Sequence, residues 1–468
     1  MQGFAGNVLA GRLPTADTVV TVSGGAVVMQ VPEGTTLYSA LLVITNCTLG
    51  ADCDWRGLVG NGGIYGVDLN GHNLLVSGFT GSGSVSNSAA GDPATLCYDV
   101  ASGTNENANV TVLGNVKVVK TGAGAVVVSA QSQTYDGGTI VSNGMFMAGA
   151  NGTSRVTGAS GGEIFVCSNG VFNLHQHSGF QDYSFVLDGG ELLNDQGYTS
   201  PEVDPCIASL TLASDSSIRL DGHIGLINAS KARVNLDLGG HTLTLHGGRQ
   251  LYMTNVKATQ GRIIATGETF VAASDGKTYG TRLDCYTAPA SDLSEVELVM
   301  NGYSCFYLKV GPLELGSYEC NSTWYVEDGA WAAQMKVHGT FTPNTDRFYG
   351  ATLQDGATLD LRGWTGCFNV KGRGHLGSET RSTLGFASGA NVTVNLAGRE
   401  DILSIAKSDL PLVVQWTTEP DASFMLDSET ARKFKIKKAT IEVTDGETVT
   451  TVSGLKLTRK SGTMLIVK

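Results

Sequence analysis

The chain has 468 residues, 62 of them Gly and only 10 Pro, with 41 % hydrophobic and 16 % charged residues. A formal charge of −12 and an isoelectric point near 5.1 argue against nucleic acid and anionic membrane as partners, because both repel an acidic surface. Apolar residues this frequent, in regular alternation, argue against a disordered Gly/Ser-rich chain.

In chain order, the opening Met1-Gln-Gly-Phe-Ala-Gly carries no basic segment leading into an apolar run, so no secretory leader is visible. Nowhere do roughly 18 apolar residues follow one another, as a membrane helix needs. Val67-Asp-Leu-Asn-Gly-His72-Asn-Leu-Leu-Val-Ser-Gly78 reads as strand, tight turn, strand. Residues 116–153 repeat that device at close intervals. Val116, Val118 and Val126–Val128 are β-branched, and Lys120-Thr-Gly-Ala-Gly124, Tyr135-Asp-Gly-Gly-Thr139 and Ser142-Asn-Gly144 place turn residues between the strands. Such a rhythm winds a chain into a coil whose strands pair with the coils above and below. Leu236-Asp-Leu-Gly-Gly-His241-Thr-Leu-Thr-Leu-His-Gly247 is a second copy of the unit at Val67, and Thr358-Leu-Asp-Leu-Arg-Gly-Trp364 followed by Cys367-Phe-Asn-Val-Lys-Gly372 is a looser third. At roughly 20–29 residues per coil the chain would make on the order of 15–20 coils.

Beyond about Asp401 the character changes and Gly becomes scarce. Asp427 is placed to cap a short helix over Asp427–Arg432. Lys433-Phe-Lys-Ile-Lys-Lys-Ala439 alternates cations with Phe434 and Ile436, which predicts a strand with a solvated basic face, a usual way to blunt a sheet edge. The second reading of this run is a binding face for an acidic glycan. Thr448–Val452, Leu455–Arg459 and Met464–Val467 read as a closing meander. The predicted fold is therefore all-β: an elongated parallel β-solenoid (β-helix) over 1–400, with a less regular segment at 284–380, and a small β-rich C-terminal cap over 401–468.

The stretch 116–153 resembles the autotransporter-associated β-strand repeat, KTGxGxLxLxGxNTYTGGTxxNxGTLxLG, at Lys120–Gly124, at Tyr135 with Gly137–Thr139, and at Asn143–Gly144. Gln-Thr-Tyr-Asp stands where that family has Asn-Thr-Tyr-Thr, and Met145-Phe-Met replaces its Thr-Leu-x-Leu. The units at Val67 and Leu236 are similar to the LDLNGxTLTVSG element of autotransporter-like passengers. The resemblance implies a bacterial, exported β-solenoid at the outer cell surface or outside the cell. An exported protein implies a leader, and upstream coils with it, missing from this chain; the family's translocating barrel is not recognisable either, so no membrane insertion is expected of these residues.

Nine cysteines, none in CxxC spacing, give no zinc site. Cys47 with Cys53, and Cys305 with Cys320, are near enough in sequence for disulfides, but isolated strand cysteines more often act as small buried hydrophobes. Gly158-Ala-Ser160-Gly-Gly162 and Gly372-Arg-Gly374-His-Leu-Gly377 mimic a nucleophile elbow and a dinucleotide loop, yet neither leads into a helix. His175-x-His177 puts two imidazoles on one strand face without a third metal ligand nearby, and His72 and His241, just after the turn glycine of both repeat units, are read as shaping the rung. Asp284, Asp360 and Arg362 are the candidates for a polysaccharide lyase or glycoside hydrolase acting on acidic glycans, the alternative reading. They form no local cluster, so no catalytic residue, metal or cofactor is assigned. Binding is the favoured function: Trp324, Trp331 and Trp364, with Tyr303, Tyr307 and Tyr325, fall in the irregular segment and can stack on sugar rings, although core packing is the commoner fate of such residues. Tyr183–Pro205 reads as a similar loop excursion. The expected partner is a glycan or a protein on a neighbouring or host cell surface, and the expected role is that of a non-enzymatic stalk or adhesin.

Overall fold

The computed structural model describes residues 4–460 apart from segments 12–18, 24–25, 31–40, 57–65, 80–82, 130–131, 150–156, 160, 176–179, 197–205, 228–231, 268–269, 272–277, 286–287, 309, 323–334, 345–349, 365–383, 400, 403–411, 417 and 446–447; side chains are described from Thr48 onward. The described structure is nearly all β, and about 11 turns of parallel stacked coil form a β-solenoid, with a small antiparallel sheet near the C-terminus. The chain divides into two compact units, Met1–Leu243 and Thr244–Lys468.

Period-2 alternation fixes which side chains enter the coil. Along Val116–Thr121 every second residue is buried, Val116, Val118 and Lys120 inward and Lys117, Val119 and Thr121 outward. Parallel pairing then stacks like on like. Val118 lies between Leu96 of the preceding coil and Thr139 of the next, and Ile164 lies between Thr139 and Phe185. Aromatics pack inside the coil both along and across ladders: in-register Phe146 and Phe172 stack at 5.3 Å, and Phe172 meets Phe185 of another ladder edge-on at 5.3 Å.

The repeat-like residues of 116–153 act as one device. Lys120 is fully buried, and its ammonium donates to the carbonyl oxygens of Thr121, Gly122 and Asn143 at 2.5, 2.8 and 3.1 Å, tying one coil's corner to the next. Gly144 has φ +69°, and a Cβ there would lie 2.4 Å from the carbonyl oxygens of Gly122 and Gly124. Tyr135, equally buried, shares a 2.6 Å hydrogen bond with Thr139. Buried Gln133 substitutes for a strand residue: its Oε1 accepts from the Val112 amide and its Nε2 donates to the Val110 carbonyl.

Corners elsewhere use Asp. In the repeat units at Val67, Leu236 and Thr358, the Asp68, Asp237 and Asp360 carboxylates accept the backbone amide two residues on, from Asn70, Gly239 and Arg362. That bond closes the turn, so Asp-x-Asn-Gly, Asp-x-Gly-Gly and Asp-x-Arg-Gly are three spellings of one corner. His72 and His241 follow it in matching ways. Each lies 3.7–3.8 Å from an Asp of the coil below, Asp52 or Asp215, and that Asp accepts the amide of the next residue, Asn73 or Thr242.

The coils differ from expectation in number and at the ends, while the thiols follow the favoured reading. Hydrogen bonds between successive coils join residues 20 to 22 apart early on, as in Ser88 to Asp68, Asn73 to Asp52 and Thr95 to Asn73. Farther along the spacing varies, from 18 in Ser322 to Ser304 up to 31–36 in Leu396 to Asp427, Ser388 to Asp421 and Asn391 to Asp355. Longer coils consume the chain faster, which is why about 11 turns form where 15–20 are expected from a short repeat. The first strands are not coils: Phe4–Gly11 pairs antiparallel with Leu41–Leu49, and Val19–Ser23 with Ala26–Gln30. Parallel pairing begins where Cys47 meets Val67, and it continues past residue 400, Ala390–Val394 pairing with Ala422–Leu426. Cys53, Cys305 and Cys320 are free thiols, so neither short-range disulfide forms; Cys320 points into the core while Cys305 lies on the outer side of its strand.

The closing sheet of the second unit is antiparallel. Leu412–Trp416 pairs with Thr448–Arg459, which pairs along its full length with Phe434–Asp445. Phe434, Leu455 and Leu457 are buried and Lys435 and Lys437 exposed, as the alternation of cations and apolar residues predicts. Thr430–Lys433 is a single helical turn, and Asp427 caps it, accepting the amides of Glu429 and Thr430.

Candidate functional site

The outer faces of the coils carry charges that mostly neutralise one another locally. Residues two apart also pair around corners, and Asp54–Arg56, Asp360–Arg362 and Arg399–Asp401 form ion pairs of 2.6–2.7 Å across that spacing. One such pair is built differently. It lies in the second unit on three adjacent parallel strands, Gln250–Met253, Thr281–Cys285 and Ser304–Leu308. Register places Arg282 between Gln250 and Cys305, and Asp284 between Tyr252 and Tyr307. Alternation turns these six side chains to the outer face, while Leu251, Leu283 and Phe306 fill the interior at 0–3 % exposure.

Arg282 Nε and Nη2 donate to the two Asp284 carboxylate oxygens at 2.6 and 2.7 Å, a bidentate clamp. The guanidinium carbon sits 4.6 Å from the centroid of the Tyr307 ring. The Asp284 carboxylate is fully buried, whereas the Arg282 side chain keeps 18 % of its surface exposed. Burial pushes the Asp284 carboxyl up, to about 6, against the opposing pull of Arg282. Arg282 stays charged at every physiological pH. Tyr303, two residues before Cys305, and Tyr307 are both part-exposed. The face therefore offers a part-exposed tyrosine, Tyr307, stacked under a guanidinium whose position a buried carboxylate dictates.

Of the residues read as sugar-stacking, Tyr307 stands against Arg282, whereas Tyr303 is part-exposed in the bend that precedes Ser304. Trp364 is 1 % exposed and offers no ring face to solvent; its carbonyl accepts from Arg399 Nη1 at 2.6 Å. Trp324, Tyr325 and Trp331 lie outside the described residues. Asp360 is held by Arg362 and by its own turn amide, far in sequence from Asp284 and in a different setting. His175 Nδ1 lies 2.8 Å from Asp195 Oδ1; His177, Ser160 and Gly372–Gly377 lie outside the described residues. Among the described residues no group of three His, Cys, Asp or Glu could hold a metal ion. Arg282 and Tyr252 went unread in the sequence. The signal was there in Arg282-Leu-Asp284, opposite charges at strand spacing, but it looks the same as the exposed pairs until the burial of Asp284 is known.

No protein-family model, curated protein or solved structure matches the chain.

Proposed function

We propose that this chain is a passenger-like β-solenoid of the autotransporter kind, bacterial and exported, which acts at the cell surface by binding a glycan without cleaving it. The observation that carries the reading is the outer face of Ser304–Leu308 and its neighbours, where part-exposed Tyr307 lies against a fixed guanidinium. Aromatic faces with a positioned polar group beside them suit a pyranose ring, whose C–H face stacks while its hydroxyls hydrogen-bond. The β-solenoid supports a display role, since each coil contacts its neighbours alone and outward excursions leave the ladder intact. The carboxylates that a lyase or hydrolase would draw on are engaged: both oxygens of Asp284 hold Arg282, and Asp360 holds Arg362. That arrangement favours binding over the cleavage alternative.

The test is a glycan array probed with the full chain and with Tyr303→Ala and Tyr307→Ala variants, followed by chain-length analysis of each bound glycan. Binding that falls at least about tenfold in a variant, with the glycan left intact, is the expected result. A shortened glycan would replace the binding reading with an enzymatic one, and a silent array would leave a structural stalk.

A further inference from the structure

Arg282 makes fewer bonds than its burial leads one to expect. A guanidinium has five N–H donors in a fixed fork. Asp284 takes the edge formed by Nε and one N–H of Nη2. The end-on edge, formed by Nη1 and the second N–H of Nη2, makes no hydrogen bond among the described residues, and Nη1 is not a buried atom left without a partner. The Arg282 side chain as a whole keeps 18 % of its surface exposed.

Burying an ion pair on the outer face of a sheet costs free energy that an apolar pair of similar volume would not. The other pairs keep at least one partner well exposed: Arg56 and Asp54 at 47 % and 41 %, Arg362 at 58 %, and Asp401 at 52 %. Arg282 instead has its rotamer set three times over, by the Asp284 clamp, by the Tyr307 ring and by the strands on either side. Rigid placement of a fork with one edge unused is what planar, two-point recognition of an oxyanion requires.

Geometry, more than charge, narrows the ligand. Arg282 and Asp284 sum to zero, and the chain as a whole carries −12. With no net positive field here, charge alone selects no anion, and recognition falls to geometry: a planar fork matches a planar carboxylate, whose two oxygens accept two short hydrogen bonds at close range. Tyr307 beside the fork suits the apolar face of the same sugar.

Resting on the glycan-binding reading above, we propose that the end-on edge of Arg282 receives the carboxylate of a uronate-class acidic sugar whose ring lies against Tyr307. The fork supplies two parallel N–H···O bonds to the two carboxylate oxygens, and Asp284 keeps the guanidinium from turning away. Asp284 is a positioning residue in this scheme.

The experiment measures binding of the unaltered full chain to three matched probes by calorimetry: an oligogalacturonate, the same oligomer with its carboxyls reduced to alcohols, and a sulfated neutral oligomer of equal length. The oligogalacturonate is expected to bind, and the reduced oligomer to bind about ten- to a hundredfold more weakly, the loss of two charge-assisted hydrogen bonds. Arg282→Lys, checked for an unchanged melting temperature, keeps the charge and loses the fork; it should erase most of the difference between the first two probes. Equal binding of the reduced oligomer, weakened in Tyr307→Ala, would overturn the carboxylate assignment and leave the glycan reading standing. Preference for the sulfated oligomer would overturn it as well. Failure of all three probes together with a silent array would remove both.

Discussion

Lys120 shows how a single buried charge can set a pH dependence of unfamiliar sign. Burial lowers its ammonium to about 8, from the 10.5 of a solvated lysine. Between those values the unfolded chain holds the proton and the folded chain sheds it. Lys120 therefore adds stability as pH rises from about 8 to 10.5, and its unfavourable contribution is complete below that window. The gap in melting temperature between the unaltered protein and Lys120→Met should accordingly widen in favour of the unaltered protein between about pH 7.5 and 10; a gap that stays constant or narrows contradicts the assignment. Gly144 is a neighbouring test. With φ +69° and two carbonyl oxygens 2.4 Å from any Cβ, Gly144→Ala should cost at least about 1–3 kcal/mol in urea unfolding. A loss below about 0.5 kcal/mol would mean that the corner relaxes freely. These two residues also show what sequence reading can reach. Lys120, Gly122, Gly124, Asn143 and Gly144 stood out as a pattern, but that the pattern is a buried ammonium over three carbonyls follows only from the stacking of coils. The same limit applies at the candidate site: Tyr303 and Tyr307 could be picked out by type and place, while Arg282 depends on the burial of Asp284, which period-2 alternation cannot foretell.

At the scale of the element, the closing hairpin is the part whose chemistry was most legible. Alternating cations and apolar residues in Lys433–Ala439 require one wet and one dry face, and Phe434 is buried while Lys435 and Lys437 are exposed. Lys437 stands directly opposite Lys456 in the antiparallel register, a like-charge pair that weakens the sheet locally. Such a pair is tolerable where its purpose is to repel another sheet edge. Replacing Lys435 and Lys437 together with Val should raise the melting temperature slightly and make the chain associate. Light scattering across a concentration series checks this: a double variant that stays monomeric would mean the cations do not guard the edge. The antiparallel pairing of Phe4–Gly11 with Leu41–Leu49 was not legible, because alternating apolar residues look alike in parallel and antiparallel strands. Coil length was misjudged for a related reason. Strand signals mark where ladders form, whereas the connecting residues that stretch a coil from 20 to 36 residues carry no periodicity to count.

For the whole molecule, the register of the ladder doubles as an editing map. Val118 and Thr139 occupy equivalent places in successive coils, as do Asn105, Ala125 and Met145. Excising residues 118–138, so that Lys117 is followed directly by Thr139, would bring Thr139 beside Leu96 and Met145 beside Asn105, with every retained strand still on its proper face. Since each coil touches only its neighbours, stability should fall by about one interface and not collapse; circular dichroism should keep its β signature, with one melting transition shifted downward. An excision out of phase by one residue would turn each strand inside out and leave no folded product. A protein organised this way can be lengthened, shortened or given new loops by unequal copying of its own gene, with each product foldable on arrival and its outward surface free to vary.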